Sequence, residues 1–339
     1  MFRTPLLGLA TLLTGAALTT VAPTSAIAAG APAFGPASVQ PSSYVGVWDG
    51  NCVKDDPPPV ALPSTPLVEN GPAVTTSTEV SGSITARTDD TDTVRASARI
   101  GTRTTLTSAA GVPKALTVTY SGSIEATSTK ATSVCKVIAH ARASTHVPFT
   151  LAKPMWVTLT QTRKGPAYAE IFLSTDGEQL YQEQYGTGLD GTVTATYYLP
   201  AGDYSVSVDV AAQKGGWKGF PRAAVSGSSS VTFAPVGARA SGPAGNGTPY
   251  VALPGARSCA THGATATLTT SAKRLGKTRS IEVLIDGRRA ALLKGKALTR
   301  GRAVPLRIAD DKAASVTATV TLRNGARRTV AARYLACSS

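Results

Sequence analysis

The sequence predicts an all-β protein built as tandem antiparallel β-sandwiches, and three observations carry that expectation. First, the stretch from Thr196 to Val210 holds two strand-like runs around a Pro200-Ala201-Gly202-Asp203 corner. Tyr204, Val206, Val208 and Val210 fall on one face of the second run, with Ser205, Ser207 and Asp209 on the other. That period-two alternation reads as a half-buried antiparallel hairpin. Second, similar runs bounded by Gly, Pro, Asn and Asp recur along most of the chain. Third, small and β-branched residues dominate and only 2 of 339 residues are Met, a composition that favours strands over helices.

Residues 1–28 are expected to lie outside the fold. Arg3 is the one charged residue there, Leu6 to Val21 form an apolar stretch broken by Thr and Gly, and Ala26-Ile27-Ala28 is an A-x-A cleavage signature. Together these read as a secretory signal peptide. The apolar run is too short and interrupted for a membrane span and has no stop-transfer flank. No Cys stands after the cleavage signature to take a lipid, and Tyr334 to Ser339 form neither a hydrophobic tail nor a basic stop. The mature chain is expected to be secreted, released or held non-covalently on the cell wall.

Residues 29–43, mostly Ala, Gly, Pro and Ser without periodicity, read as a disordered leader. A β-rich body is expected over residues 44–235. Tyr44 to Trp48 is a short strand ending near Cys52, and Lys54 to Ser77, with six prolines, is an extended connection. Val80, Gly82, Ile84 and Ala86 then alternate with mostly polar partners, the Asp89-Asp90-Thr91-Asp92 turn follows, and Val94, Ala96, Ala98 and Ile100 alternate again. Leu116, Val118 and Tyr120 mark a third run. Ser81-Gly82-Ser83-Ile84 returns 40 residues later as Ser121-Gly122-Ser123-Ile124, either equivalent hairpins or the echo of a small alphabet. Pro148 to Leu151 and Trp156 to Thr160 are the next strands; Ala169 to Leu173 and Gln179 to Gln182 flank a tight turn at Thr175-Asp176-Gly177; Ser230 to Phe233 closes the body.

The order of Val157 to Leu159, Ala169 to Leu173, Asp176-Gly177 and the Tyr198-Leu199-Pro200-Ala201-Gly202-Asp203-Tyr204-Ser205-Val206 corner resembles the bacterial pre-peptidase C-terminal type of β-sandwich over about residues 145–234. The resemblance implies a jelly-roll-like middle domain and an accessory role near secreted hydrolases, and supplies no catalytic residues.

Gly237 to Pro249 is rich in Gly, Ala, Pro and Ser, so residues 236–249 read as a linker. A last domain spans 250–339, with strands at Ala264 to Leu268, Ser280 to Ile285, Ala290 to Leu293, Val304 to Ile308, Val316 to Leu322 and Val330 to Leu335. Asp286-Gly287 and Asn324-Gly325 are hairpin turns. On Val283-Leu284-Ile285-Asp286-Gly287-Arg288-Arg289, the alternation of Val316, Ala318 and Val320, and Arg333 to Cys337, it is similar to the basic Ig-like modules that end many secreted actinobacterial proteins.

The four cysteines allow three pairings in an exported chain. Cys52 with Cys135 and Cys259 with Cys337 is the favoured set, because each bridge then stays on one side of the linker. Neither spacing is that of a zinc or redox motif.

Charge is the most functional feature. The chain carries a net +14, and residues 248–339 hold 17 Lys and Arg against Glu282, Asp286, Asp310 and Asp311, which leaves +13 there and +1 elsewhere. Lys273, Arg274, Lys277, Arg279, Arg288, Arg289, Arg300, Arg302, Arg327 and Arg328 fall mostly in expected turns and can converge on one edge. Such a face attracts a polyanion, here an anionic cell-wall polymer or acidic polysaccharide. The same charges also suit a solvated surface. Specific nucleic-acid binding is not expected, since this domain offers only Tyr250 and Tyr334 for stacking.

Trp217 and Phe220, in a loop flanked by glycines, are the candidate carbohydrate-stacking residues, with aromatic packing as the plain alternative. Asp89, Asp90 and Asp92 offer oxygens to a hard cation but lack the full EF-hand loop. His140 and His146 share a strand face if the strand is unbroken. No H-E-x-x-H and no G-x-S-x-G occurs, and no paired-carboxylate site can be located. The expectation is a non-enzymatic, cofactor-free binding or adhesion protein of the bacterial envelope, with a secreted protein as a further partner. Its rivals are an accessory carbohydrate-binding or spacer protein and a hydrolase with an unrecognised site.

Overall fold

The computed structural model describes residues 32–48, 50–55, 62–175, 178–185, 190–217, 219–240 and 242–339. They form tandem antiparallel β-sandwiches with two separate hydrophobic cores.

The body contains β1 (Ala37–Val47), β2 (Cys52–Lys54), β3 (Thr65–Leu67), β4 (Val74–Ala86), β5 (Asp89–Ala109), β6 (Val112–Ser128), β7 (Val137–Leu151), β8 (Met155–Lys164), β9 (Ala167–Thr175), β10 (Glu178–Tyr185), β11 (Gly191–Leu199), β12 (Gly202–Trp217) and β13 (Phe220–Pro235). A six-stranded sheet runs β10-β9-β12-β7-β1-β3 and a seven-stranded sheet runs β11-β8-β13-β6-β5-β4-β2. Alternation decides what lies between them. Val39, Val147, Ile171, Val206 and Val208 of the first sheet meet Ile84, Ile100, Leu116, Val157 and Val231 of the second, all buried.

Three expectations change here. The segment expected to be a disordered leader is ordered from Pro32 onward. Phe34 packs edge-on against Phe149 and Phe233, with ring centroids 6.4 and 6.1 Å away, and β1 pairs along β7 from Ser38↔His146 to Val47↔Val137. Beyond its short pairing with β3, β1 is an edge strand, which is why it tolerates Pro41. The Pro200-Ala201 corner is not a hairpin. β11 pairs with β8 in one sheet, while β12 pairs with β7 and β9 in the other, so the corner hands the chain across the core. Tyr204 braces it by donating its hydroxyl to the Pro200 carbonyl at 3.1 Å. The first hairpin turns at Arg87-Thr88, and Asp89 to Asp92 already belong to β5.

The second sandwich contains β14 (Val251–Ala252), β15 (Gly263–Leu268), α1 (Ala272–Gly276), β16 (Thr278–Ile285), β17 (Arg288–Lys294), β18 (Ala303–Arg307), β19 (Ala314–Leu322) and β20 (Arg327–Tyr334). Its sheets run β14-β15-β18 and β17-β16-β19-β20. The Asp286-Gly287 turn forms with both residues at positive φ (49° and 78°), as a two-residue hairpin requires. The segment read as a linker is not a free tether. Ala240 N–H donates to Arg333 O at 2.7 Å, Ala244 and Ala331 exchange bonds of 3.0 and 2.9 Å, and Gly247 N–H donates to Thr329 O at 2.7 Å. Its glycines serve close approach, since a Cβ on Gly245 or Gly247 would run into Thr329's backbone.

Both disulfides join as Cys52–Cys135 and Cys259–Cys337. The first ties the seven-stranded sheet to the segment entering β7 of the other sheet. Bridges of this kind persist in oxidising surroundings. No helix among the described residues is long and apolar enough to cross a membrane.

Gly227, in the middle of β13, lies opposite Tyr120 on the inward face. A Cβ there would overlap both the Thr162 carbonyl and the Tyr120 hydroxyl. Gly227→Ala is expected to destabilise the body by about 2–4 kcal/mol, read as a lowered denaturation midpoint with the C-terminal transition unmoved.

Candidate functional site: the basic end of the C-terminal sandwich

The strand directions sort the charges. β15 ends at Leu268 and β16 begins at Thr278, with α1 between them; β17 ends at Lys294 and β18 begins at Ala303; β19 ends at Leu322 and β20 begins at Arg327. All three connections lie at one end of the sandwich. They carry Lys273, Arg274, Lys277, Arg279, Lys294, Lys296, Arg300, Arg302, Arg323, Arg327 and Arg328, each exposed, and no Asp or Glu. At the opposite end lie Asp286, Asp310 and Asp311, with Arg257, Arg288, Arg289, Arg307, Lys312 and Arg333. The structure therefore brings eight of the ten predicted basic residues together. Arg288 and Arg289 are the two it does not, because the hairpin turn that carries them points the other way. Arg289 lies 3.8 Å from Glu282.

This end encloses an open cleft of about 740 Å³ lined by Arg279, Arg300, Arg323, Leu275, Leu298 and Thr299, with Ala272, Gly276, Thr278 and Gly295 completing its wall. Each wall is held by hydrogen bonds to its backbone. Ser271 caps α1 by accepting the Arg274 N–H at 3.4 Å, and Thr278 closes it by donating to Arg274 O at 3.0 Å. Arg323 N–H donates to Lys277 O at 2.8 Å, which fixes the β19–β20 turn against the start of β16. Gly301 N–H donates to Leu268 O at 2.8 Å and Leu268 N–H to Arg302 O at 3.0 Å, which fixes the segment bearing Arg300. Sequence reasoning missed Arg323, which stands just before the Asn324-Gly325 turn; its place beside that turn was the available signal.

The other candidates separate from this site. Phe220 is 7% exposed and belongs to the body core, with the Lys214 ammonium 4.2 Å above its ring, so it is not a stacking surface. The side chain of Trp217 lies outside the described residues. The neighbouring glycines accommodate a different indole: a Cβ on Gly215 would come within 2.9 Å of Trp48, which is 57% exposed. Trp156 joins the two sandwiches, donating its indole N–H to Ala336 O at 2.8 Å.

Asp89, Asp92 and the histidines are engaged with other partners or kept apart. Asp89 pairs with Lys130 and accepts from Thr91, which hold its carboxyl down to about 2, while Asp92 accepts the Val134 N–H at 2.9 Å. His140 and His146 do share a face of β7, but six residues of strand separate them by roughly 20 Å. Among the described residues no cluster of His, Cys, Asp and Glu could hold a metal ion.

No protein-family model and no curated protein matches this chain. Among solved structures, the adhesin domain of Epf from Streptococcus pyogenes aligns over 77% of this chain and 91% of its own, at 8% identity and a TM-score of 0.21. A beta-galacturonidase from Eisenbergiella tayi, bound to galacturonate, aligns over 57% of this chain at 12% identity and a TM-score of 0.18. The chain spans 35% of that enzyme's length. At such TM-scores nothing about either protein carries over.

His140 gives the body a pH dependence. Burial beside Tyr44, 5.1 Å between rings, pushes its pKa down from 6.5 to about 4, with the Arg142 charge adding to the shift. The unfolded chain therefore takes up a proton between about pH 6.5 and 4 that the folded chain refuses. Stability is expected to fall as the pH drops through that window and to level off below it. In a denaturation series, His140→Gln is expected to flatten the slope there.

Proposed function

We propose that this chain is an exported, non-enzymatic binding protein of the bacterial envelope whose C-terminal sandwich holds an anionic wall polymer or acidic polysaccharide at its basic end. One observation supports the reading above the others: eleven of the domain's Lys and Arg gather at one end with no Asp or Glu among them, while three of the four acidic side chains stand at the other. Charges scattered for solubility have no need of such sorting, whereas a polyanion needs one contiguous positive surface. The body end is engaged through Trp156, Gly237 and Ala336, so the basic end is the one turned away from the body. The two bridges suit an exported chain, and the signal-peptide reading of residues 1–28, which lie outside the described residues, agrees with them.

A neutral saccharide on the body is a second reading. It rests on Trp48, an exposed ring just past the end of β1 braced against Gly215 and Gly216. Loss of saccharide binding in Trp48→Ala, with polymer binding intact, is the result that reading requires.

The test is co-sedimentation of the full mature chain with purified cell walls, with and without their anionic polymer, across a salt series. Binding is expected to need the polymer and to weaken steeply with salt, as counterion release requires. Arg327→Ala with Arg328→Ala should lower the salt slope by roughly one per lost contact. Absence of sedimentation at low salt would remove the proposal.

A further inference from the structure

We infer that the cleft between α1 and the β19–β20 turn is a discrete site for one phosphoryl group of a polyol- or sugar-phosphate polymer, with Arg279, Arg300 and Arg323 as its ligands. This rests on the polymer reading above and narrows it from a charged surface to three named side chains.

Three features lead there. The three arginines that line the cleft come from three separate segments: the start of β16, the segment before β18 and the β19–β20 turn. Each segment is fixed by the hydrogen bonds described above, so the fold itself brings the three arginine residues to one cleft. No Asp or Glu lines the cleft, and the ion pairs of this domain among the described residues, Arg289 with Glu282 and His262 with Asp310, lie elsewhere. Three like charges around one concavity repel one another unless an anion sits among them.

The geometry selects the kind of anion. A carboxylate is planar, and a single guanidinium fork satisfies both of its oxygens. Three forks approaching from three walls suit a group whose oxygens point in several directions, as the tetrahedral phosphoryl group does. Leu275 and Leu298 offer apolar surface to the carbon skeleton that carries the phosphate, and Thr299 adds a hydroxyl at the margin.

The experiment is titration calorimetry on the full mature chain with glycerol phosphate, inorganic phosphate and a uronic-acid oligomer, alongside the wall sedimentation. Arg279→Lys, Arg300→Lys and Arg323→Lys keep the charge and lose the fork. Each is expected to weaken glycerol phosphate binding tenfold or more. Arg288→Lys and Arg289→Lys, at the opposite end, are expected to change it less than twofold. Far-ultraviolet circular dichroism and the thermal midpoint of every variant report whether it is folded, and a variant that misfolds is replaced by the corresponding Arg→Gln.

Equal behaviour of cleft and control variants would overturn the site while leaving the polymer reading standing, because diffuse attraction does not distinguish Arg from Lys. Uronate binding as tight as glycerol phosphate through the same three arginines would overturn the phosphoryl assignment. Glycerol phosphate binding that depends on the three arginines, without wall sedimentation, would uphold the site and defeat the polymer reading.

Discussion

Arg257 is a cation placed inside the protein. It is 3% exposed, and its guanidinium donates to the carbonyls of Leu335, Ala309, Asp310 and Lys312 at 2.9, 2.6, 3.1 and 2.9 Å. Burial lowers its pKa, yet an arginine starts so high that it stays charged, and four carbonyl dipoles offset the lost hydration. Its own N–H donates to Gly237 O at 2.9 Å, and two residues on, Cys259 bridges to Cys337. One residue thus gathers, through its backbone N–H and its guanidinium, the exit from the body, the β18–β19 connection and the segment just after β20. The body-facing end of the second sandwich is closed around it.

Closing one end defines the other. In an antiparallel sandwich the connections fall into two sets at opposite ends, and here one set is purely basic while the other mixes Asp with Arg and Lys. The body is electrically quiet by contrast. On the outward face of its seven-stranded sheet, Thr158 pairs with Thr196, Thr160 with Thr194 and Thr162 with Thr192, hydroxyl to hydroxyl at 3.0, 3.2 and 2.9 Å. Nearly neutral residues 1–247 and a strongly positive remainder therefore become a spatial arrangement, with the charge displaced to the far tip.

What alternation controls was legible in the sequence. Val206, Val208 and Val210 are buried as their spacing required, and Asp286-Gly287 turns as its two residues dictate. The two disulfides also pair as the division of the chain suggested. What depends on distant partners was not legible. Ala37 to Ser43 looks unstructured because its Pro, Ser and Gln residues are poor in local signal, and it joins the strand begun at Tyr44 only by lying along β7. Thr196 to Val210 has the pattern of a hairpin, yet alternation cannot say whether two adjacent strands share a sheet. The glycines beside Phe220 suggest an exposed ring, whereas they make room for Trp48, about 170 positions earlier in the chain. At the site, sequence clusters gave the charge but not the cleft. Arg279, Arg300 and Arg323 are neighbours only because three connections meet at one end.

The two halves of the arrangement constrain each other. Trp156 donates to Ala336 one residue before Cys337, so the same short segment that anchors the second sandwich to the body is locked by the disulfide and sits beside the carbonyls that Arg257 holds. The edge segment Ala238 to Gly247 then runs along β20 toward the basic end, hydrogen-bonded at Arg333, Ala331 and Thr329. The connection between the sandwiches is therefore part of the second sandwich's sheet edge, not a tether beside it. A charge cluster on a loose tether would sample many directions and meet a polyanion diffusely. Fixed in this way, the segments that carry the arginines keep their mutual placement, and ligands held in place need less ordering when an oxyanion binds.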